Sequence, residues 1–332
     1  MPDMIFRQAI NSALADAMSA DADVVCFGED VAAPGGAFAV TRGLLAKFGP
    51  ERVRDTPISE NAIAGAAVGA ALSGLRPVVE IMFMDFMTLA MDALVNQAAK
   101  ARFMFGGQCS VPMVVRTPHG GGLNAGPQHS QCLEAWFAHV PGLKVVVPSN
   151  AADAYGLLRA AIIDPDPVIY VENKALYSAK SPVPETLAIV PIGSAATMRP
   201  GRDVTVVAYG IAVRQALAAA QTLAAEGIEA EVIDLRSIQP WDRQAVLDSV
   251  RRTGRLVIAH EAVTAFGVGA EIAAWVGEQA FDSLRAPIGR VGSAFMPTPF
   301  AKSLERHCVP ADTHVVAAVR RAVAYKSSRS PS

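Results

Sequence analysis

The sequence is short of charge, yet it holds no long stretch free of it. Only 18% of its 332 residues are Asp, Glu, Lys or Arg, below the quarter or so usual in globular chains. Hydrophobic residues make up 52%, and mean hydropathy is +0.30. A free-standing soluble monomer needs less apolar matter than this, so the chain either spans a membrane or buries surface against other chains. The most apolar block, 86–105, is interrupted by Asp92, Asn96, Gln97, Lys100 and Arg102. A spanning helix wants about 20 apolar residues with few or no charges. Large obligate interfaces resemble a domain core cut in half, and that is the expected use of the excess. No Lys/Arg run stands out and formal net charge is −2, which argues against nucleic acid. The four cysteines (Cys26, Cys109, Cys132 and Cys308) form no Cys-x-x-Cys pair, which argues against a zinc site or a disulfide framework. Met1-Pro2-Asp3 runs straight into an amphipathic helix with no signal-peptide pattern, so a reducing, cytoplasmic compartment is expected.

Two domains are expected at this length. Apolar runs predict strands over 23–28, 53–56, 77–83, 113–116, 144–147 and 168–171, with helices over 5–18, 61–73, 87–105 and 151–163. This is the rhythm of a parallel sheet covered on both faces. Residues 181–200 carry Pro182, Pro184, Pro191 and Pro200 without a sustained period, which is linker composition. The alternation resumes with strands over 203–208, 230–235, 255–259 and 287–291 and helices over 212–226, 242–253, 269–281 and 313–326. A polar tail, 327–332, is expected to fray. The fold class is therefore α/β, as two three-layer α/β/α domains: residues 1–185, a linker at 186–200, and residues 201–326. No repeat with a period of 20–50 residues is detectable.

The glycine-rich places match no phosphate loop: none is G-x-G-x-x-G directly between strand and helix, and none is a Walker A sequence. Gly267-Val268-Gly269-Ala270 precedes a helix and reads either as a tight turn or as an anion site at that helix's N-terminus. His119-Gly120-Gly121-Gly122 is similar to the oxyanion loops of esterases. With no G-x-S-x-G elbow in the sequence, serine hydrolysis is poorly supported.

Two polar knots stand out in the apolar first half. In Thr56-Pro57-Ile58-Ser59-Glu60-Asn61 a lone carboxylate, Glu60, sits at a strand-to-helix seam, with Ser59 positioned to cap the helix. Its plainer reading is an acid facing the helix dipole. Against that, Ala62, Ala64, Gly65, Ala66, Ala67 and Gly69 follow it and let another backbone approach closely. A carboxylate at such a seam is desolvated, its pKa rises, and proton exchange with a basic ring becomes accessible to it. The second knot is Pro127-Gln128-His129-Ser130-Gln131. His129 reads either as a satisfied loop histidine or, at a strand end, as a site residue; His139, His260 and His314 lack its polar company. Phe86, just after a strand, reads as plain core or as a stacking face for a flat ring.

Taken in order, Thr56-Pro-Ile-Ser-Glu60, Glu80-Ile-Met-Phe-Met-Asp-Phe86, Asn96-Gln-Ala-Ala-Lys100, Gln128-His-Ser-Gln131, Pro141-Gly-Leu-Lys-Val-Val-Val-Pro148, Val232-Ile-Asp-Leu-Arg-Ser-Ile238, Pro240-Trp-Asp242, His260-Glu-Ala262 and Ala286-Pro287 form one pattern. From about residue 4 to about residue 325 the chain resembles the β subunit of the thiamine-diphosphate-dependent decarboxylating component of 2-oxo acid dehydrogenase complexes. The resemblance implies a transketolase-like pyrimidine-binding domain followed by a transketolase C-terminal-like domain. It implies that Glu60 hydrogen-bonds a ring nitrogen of the coenzyme's aminopyrimidine and so drives its activation. It also implies that Phe86 stacks on that ring, and that His129 faces substrate and the incoming lipoyl group as a candidate proton donor. Asp164 and Asp166 lie where relatives place a structural potassium ion, K+, with backbone carbonyls doing much of the ligation.

Members of the superfamily hold diphosphate and Mg2+ with a Gly-Asp-Gly motif, and this sequence has none. The resemblance therefore implies that an α subunit supplies that half of the site in an α2β2 heterotetramer. The second domain would aid β-subunit self-association and dock a dihydrolipoyl acyltransferase. Phe83 to Asp92, Glu134 to Gly142 and Glu172 to Tyr177 look nearest to acetoin and bacterial pyruvate dehydrogenase β subunits, and branched-chain relatives are a weaker match. Two alternatives from other classes stand beside this: a scaffold that only dimerises and docks, and a hydrolase built on His119.

Overall fold

A computed structural model describes residues 2–326; the predicted tail, 327–332, lies outside them. The strands, in chain order, are β1 (Asp3–Ile5), β2 (Val24–Gly28), β3 (Val53–Asp55), β4 (Arg76–Glu80), β5 (Val114–His119), β6 (Lys144–Val146) and β7 (Val168–Asn173), followed by β8 (Lys180–Pro182), β9 (Ala196–Arg199), β10 (Val204–Ala208), β11 (Ala230–Asp234), β12 (Ser237–Gln239), β13 (Leu256–Val263) and β14 (Gly289–Ser293). The helices are α1 (Phe6–Ala20), α2 (Leu44–Phe48), α3 (Glu60–Leu72), α4 (Ala99–Met104), α5 (Glu134–Ala138), α6 (Ala151–Ile163), α7 (Ile211–Ala224), α8 (Arg243–Thr253), α9 (Val268–Gln279), α10 (Lys302–Cys308) and α11 (Asp312–Ala324).

One seven-stranded sheet runs β12-β6-β7-β5-β4-β2-β3 and a five-stranded sheet runs β14-β13-β10-β11-β9. Both are parallel except at one edge, where β12 and β9 pair antiparallel. Adjacent residues of a strand face opposite ways, and the cores divide accordingly. Val78, Val114, Val146, Val168 and Tyr170 pack with α1 and α6 on one face of the first sheet. Val79, Val115, Val145, Ile169 and Val171 pack on the other with α3 and with Val207, Ile233, Ile258, α8 and α9 of the second half. Val204, Val206, Val232 and Val257 face α7 and α11. Each sheet thus lies between helical layers, and the middle core is shared by both halves.

Three sequence expectations are corrected. The helix expected over 87–105 is a 3-10 turn (Met84–Ala90), a π turn (Asp92–Ala98) and then α4. Hydrophobic period reports which face is buried, and the hydrogen-bond register of the turns is set by tertiary packing. The proline-rich segment 181–200 holds β8, paired with β1, and β9, on the second sheet's edge. Val190 packs against Gly156 of α6, where a Cβ would stand 2.5 Å from Val190 Cγ2. Last, β12 comes from the second half of the chain but extends the first sheet through β6, so the sheets are tied by backbone as well as by side chains.

Candidate active site

From β2 the chain crosses to β3 on one side and then to β4 on the other. Open α/β sheets bind ligands outside the strands' carboxyl ends at such a reversal. The residues singled out by sequence gather along this edge: Glu60 follows β3, Phe86 follows β4, and His129 belongs to the loop after β5.

Glu60 is the first residue of α3 and is buried. Ser59 does not cap the helix; its hydroxyl donates to the Pro57 carbonyl at 3.2 Å, within its own turn. A second acid, Glu29, directly after β2, is buried beside it. Burial pushes the Glu29 carboxyl up, and Glu60, Asp30 and Glu80 push it further, opposed by a hydrogen bond from the Ser59 backbone. Glu29 Oε1 has no hydrogen-bond partner among the described residues. Sequence reading passed over Glu29; the available signal was Gly28-Glu29-Asp30 at the end of a predicted strand at the reversal.

The outward strip of α3 is Ala62, Gly65, Ala66 and Gly69, all exposed, and a Cβ on either glycine would meet nothing within 4 Å. Its inward residues, Ile63, Ala64, Ala67 and Val68, join the shared core with Met84 and Met87 of the turn that carries Phe86.

Phe83, Phe86 and His129 form an aromatic triangle. The His129 ring lies 4.9 Å from Phe83 and 5.4 Å from Phe86, and Phe83 lies 5.9 Å from Phe86, all edge to face. The carboxylate of buried Asp85 accepts from Gln131 N at 3.2 Å and Gln131 Nε2 at 2.9 Å, tying the histidine loop to the phenylalanine turn. Lys174, after β7, donates to the His129 carbonyl and stands 5.3 Å over the Phe83 ring. Burial pushes its ammonium pKa down, with Asp85 opposing. Beneath this edge, wholly buried Arg116 bonds Glu80 and Glu172, both at 2.7 Å. Burial opposes the guanidinium's charge, but Glu172 and Glu80 outweigh it and raise its pKa.

The second sheet brings its own carboxyl edge against the first. Glu261 of β13 accepts from Asn173 Nδ2 at 2.5 Å and from Gly121 N at 2.6 Å, and Glu305 of α10 accepts from Gly122 N at 2.9 Å. Two donors of the His-Gly-Gly-Gly loop, Gly121 N and Gly122 N, are therefore taken by carboxylates, which counts against the oxyanion-hole reading. Tyr209, after β10, donates to Glu134 Oε1 at 2.9 Å. Between the halves lies a cleft of about 450 Å3 lined by Gly121, Gln131, Cys132, Glu261, Ser293 and Met296, among others. The glycines at the start of α9 serve packing: a Cβ on Gly269 would stand 2.8 Å from His260 Nε2.

Residues 3–180 match the transketolase pyrimidine-binding domain, and residues 193–315 match the transketolase C-terminal domain. The mitochondrial pyruvate dehydrogenase E1 component subunit beta-2 of Oryza sativa subsp. japonica is 50% identical over 324 residues, covering 96% of this chain and 86% of that one. The acetoin:2,6-dichlorophenolindophenol oxidoreductase subunit beta of Cupriavidus necator is 46% identical over 325 residues, covering 95% and 96%. This chain belongs to the E1 β-subunit family. A solved split-gene transketolase, described as an inactive beta4 tetramer, superposes with a TM-score of 0.78 at 27% identity, covering 96% of this chain and 98% of that one. Both halves of the E1 β-type chain thus have the transketolase fold that the sequence implies.

Asp164 and Asp166 stand apart from the cluster just described. Lys144 Nζ lies 2.7 Å from Asp164 Oδ1, and Arg102 Nε lies 2.6 Å from Asp166 Oδ1. Both carboxylates are thus paired with cationic side chains of this chain. Among the described residues no helix is long and apolar enough to cross a membrane.

Proposed function

We propose that this chain is the β subunit of an α2β2 thiamine-diphosphate enzyme that cleaves a 2-oxo acid or acetoin and hands the acyl group to a lipoyl acyltransferase. The observation carrying this is half a coenzyme site: a buried carboxylate at a helix start, a partly exposed phenyl ring beside a histidine, and no phosphate-binding motif. Those residues fit an aminopyrimidine, which needs a hydrogen-bonding acid at one ring nitrogen and a flat apolar surface below. When bound, thiamine diphosphate supplies the nucleophilic carbon that attacks the carbonyl and the electron sink that follows bond cleavage. An α subunit holds the diphosphate and Mg2+.

Glu60 holds a proton at the ring nitrogen, and burial makes that hydrogen bond strong by excluding water. Phe86 orients the ring. His129, fixed by Phe83, Phe86 and the Lys174 bond to its carbonyl, moves a proton at its imidazole towards the acyl acceptor. The exposed strip of α3, with Ile58 at 82% and Phe103 at 89% exposure, fits burial against α and a second β subunit. On this reading residues 1–185 bind the pyrimidine, 186–200 link, and 201–326 dimerise and dock the acyltransferase. The glycine-loop donors taken by carboxylates count against the hydrolase alternative, and the family removes the scaffold.

The test is Glu60→Gln in the chain co-expressed with its α partner, assayed with an artificial electron acceptor. Turnover is expected to fall about 10²–10⁴-fold, the usual worth of a proton-transfer group, with unchanged circular dichroism. Near-normal turnover would remove the role.

A further inference from the structure

Three polar side chains outside the proposed coenzyme contacts converge at the seam between the two sheets. His119 ends β5, Glu134 begins α5, and Cys132 lies two residues before it on the loop. An imidazole nitrogen of His119, the Cys132 sulfur and a Glu134 carboxylate oxygen all lie within 4.8 Å of one another. His119 is 2% exposed and Glu134 is fully buried. His119 Nε2 has no hydrogen-bond partner among the described residues, and His119 Nδ1 meets Glu134 Oε2 only in a long ion pair. Buried polar atoms are almost always satisfied, so an unpaired ring nitrogen beside a loosely held His–Glu pair and a thiol marks a place for an occupant.

We propose that His119, Cys132 and Glu134 form a binding site for a zinc-type divalent cation. The donor set decides the class: one nitrogen, one sulfur and one oxygen suit Zn2+ or Co2+, whereas Mg2+ and Ca2+ require an all-oxygen shell of six or more. The thiolate and the carboxylate together balance the ion's two charges, as a dry site requires.

Geometry supports a tetrahedral centre. His119 Nδ1 and Glu134 Oε2 are 3.4 Å apart, close to the edge of about 3.3–3.4 Å that zinc bond lengths imply for a nitrogen–oxygen pair. The ligand atoms all lie within 4.8 Å of one another, so reaching a thiolate's tetrahedral edges asks for a closure of at most about 1 Å. Cys132 is the partly exposed, loop-borne member and the one able to move, while a strand end and a helix start hold the other two. Glu134 Oε1 accepts the Tyr209 hydroxyl, the outer hydrogen bond that orients a ligating carboxylate. Cys132 also lines the interdomain cleft, which supplies a path for the ion and water for the fourth position. Binding forms a sulfur–metal bond and releases the thiol proton to solvent. Cysteine spacing argued against zinc because the ligands come from a strand end and a loop thirteen residues on, a juxtaposition made only by the fold.

The test uses the wild-type chain, in complex with its α partner, titrated with Co2+ after chelator treatment. One tightly held ion per chain is expected, with a thiolate-to-cobalt charge-transfer band and the intense visible bands of tetrahedral cobalt, all displaced by Zn2+. In Cys132→Ser the charge-transfer band is lost. In His119→Gln the affinity falls by more than about tenfold, the least that loss of even an outer partner causes. Absence of the charge-transfer band in wild type, or its survival in Cys132→Ser, overturns the site. Unchanged affinity in His119→Gln also overturns it and leaves a plain buried His–Glu pair. The wild-type titration decides even if a variant fails to fold.

Discussion

Arg116 shows how much of this site is built below its surface. One guanidinium serves two buried carboxylates, Glu80 and Glu172, and Tyr177 donates a further hydrogen bond to Glu172 at 2.7 Å. Burial, with Glu80, lifts the Glu172 carboxyl above its ordinary value although Arg116 opposes the shift. Removing one partner of a buried pair strands the other, so Arg116→Met is expected to cost about 3–5 kcal/mol in urea unfolding. Adding Glu80→Gln and Glu172→Gln should recover part of that. A second residue gives a pH signature. Burial, then Asp153, pushes the Asp234 carboxyl up to about 7, with Ser149 opposing. An acid whose folded pKa is raised keeps its proton when the unfolded chain has lost it. Stability is therefore present at low pH and lost as pH rises from about 4 to about 7, by up to ~4 kcal/mol. Asp234→Asn is expected to flatten that part of the stability–pH curve; an unchanged slope would contradict the assignment. Legibility at this scale was uneven. Glu60, Phe86 and His129 stand out because polar or aromatic residues interrupt an apolar chain at strand ends. Glu261 and Glu305 do not, because each meets the glycine loop across more than a hundred residues, Glu261 to Gly121 spanning 140.

At the scale of elements, α3 does two things. Its inward side joins the core, and its outward side offers a strip of small residues, Ala62, Gly65, Ala66 and Gly69, ending at exposed Leu72. Gly65→Ala meets no steric obstacle within the chain. It should stabilise the isolated subunit by roughly 0.5–1 kcal/mol through helix propensity. If a partner backbone packs there, the same change weakens assembly, and sedimentation of the α–β mixture should show more free subunit. Gly142→Ala provides the contrast, since its Cβ would stand 2.0 Å from the Ala99 carbonyl at a φ of +103°; the chain itself should be destabilised, read as a lower thermal midpoint. The parallel strands were legible because they are continuous apolar runs between turn signals. The edge strands β1, β8, β9 and β12 were not, since three or four residues carry no readable period and their pairing depends on distant partners.

At the scale of the molecule, the two halves share one core and the second lends β12 to the first sheet, so the cleft between them is held by packing rather than by a flexible joint. The apolar excess visible in the composition is not all consumed inside: Ile58, Phe103 and Phe266 remain more than four-fifths exposed. If the proposed coenzyme site is completed by a partner, an E1 β chain with such uncovered apolar surface is expected to be inert by itself. The most direct measurement is calorimetric titration of thiamine diphosphate with Mg2+ into this chain alone, and into the chain reconstituted with its α partner, each followed by turnover of pyruvate or acetoin. The half-site account expects neither binding nor turnover from the chain alone, and one coenzyme per α–β pair with turnover restored in the mixture. Full binding and turnover by the chain alone would contradict it.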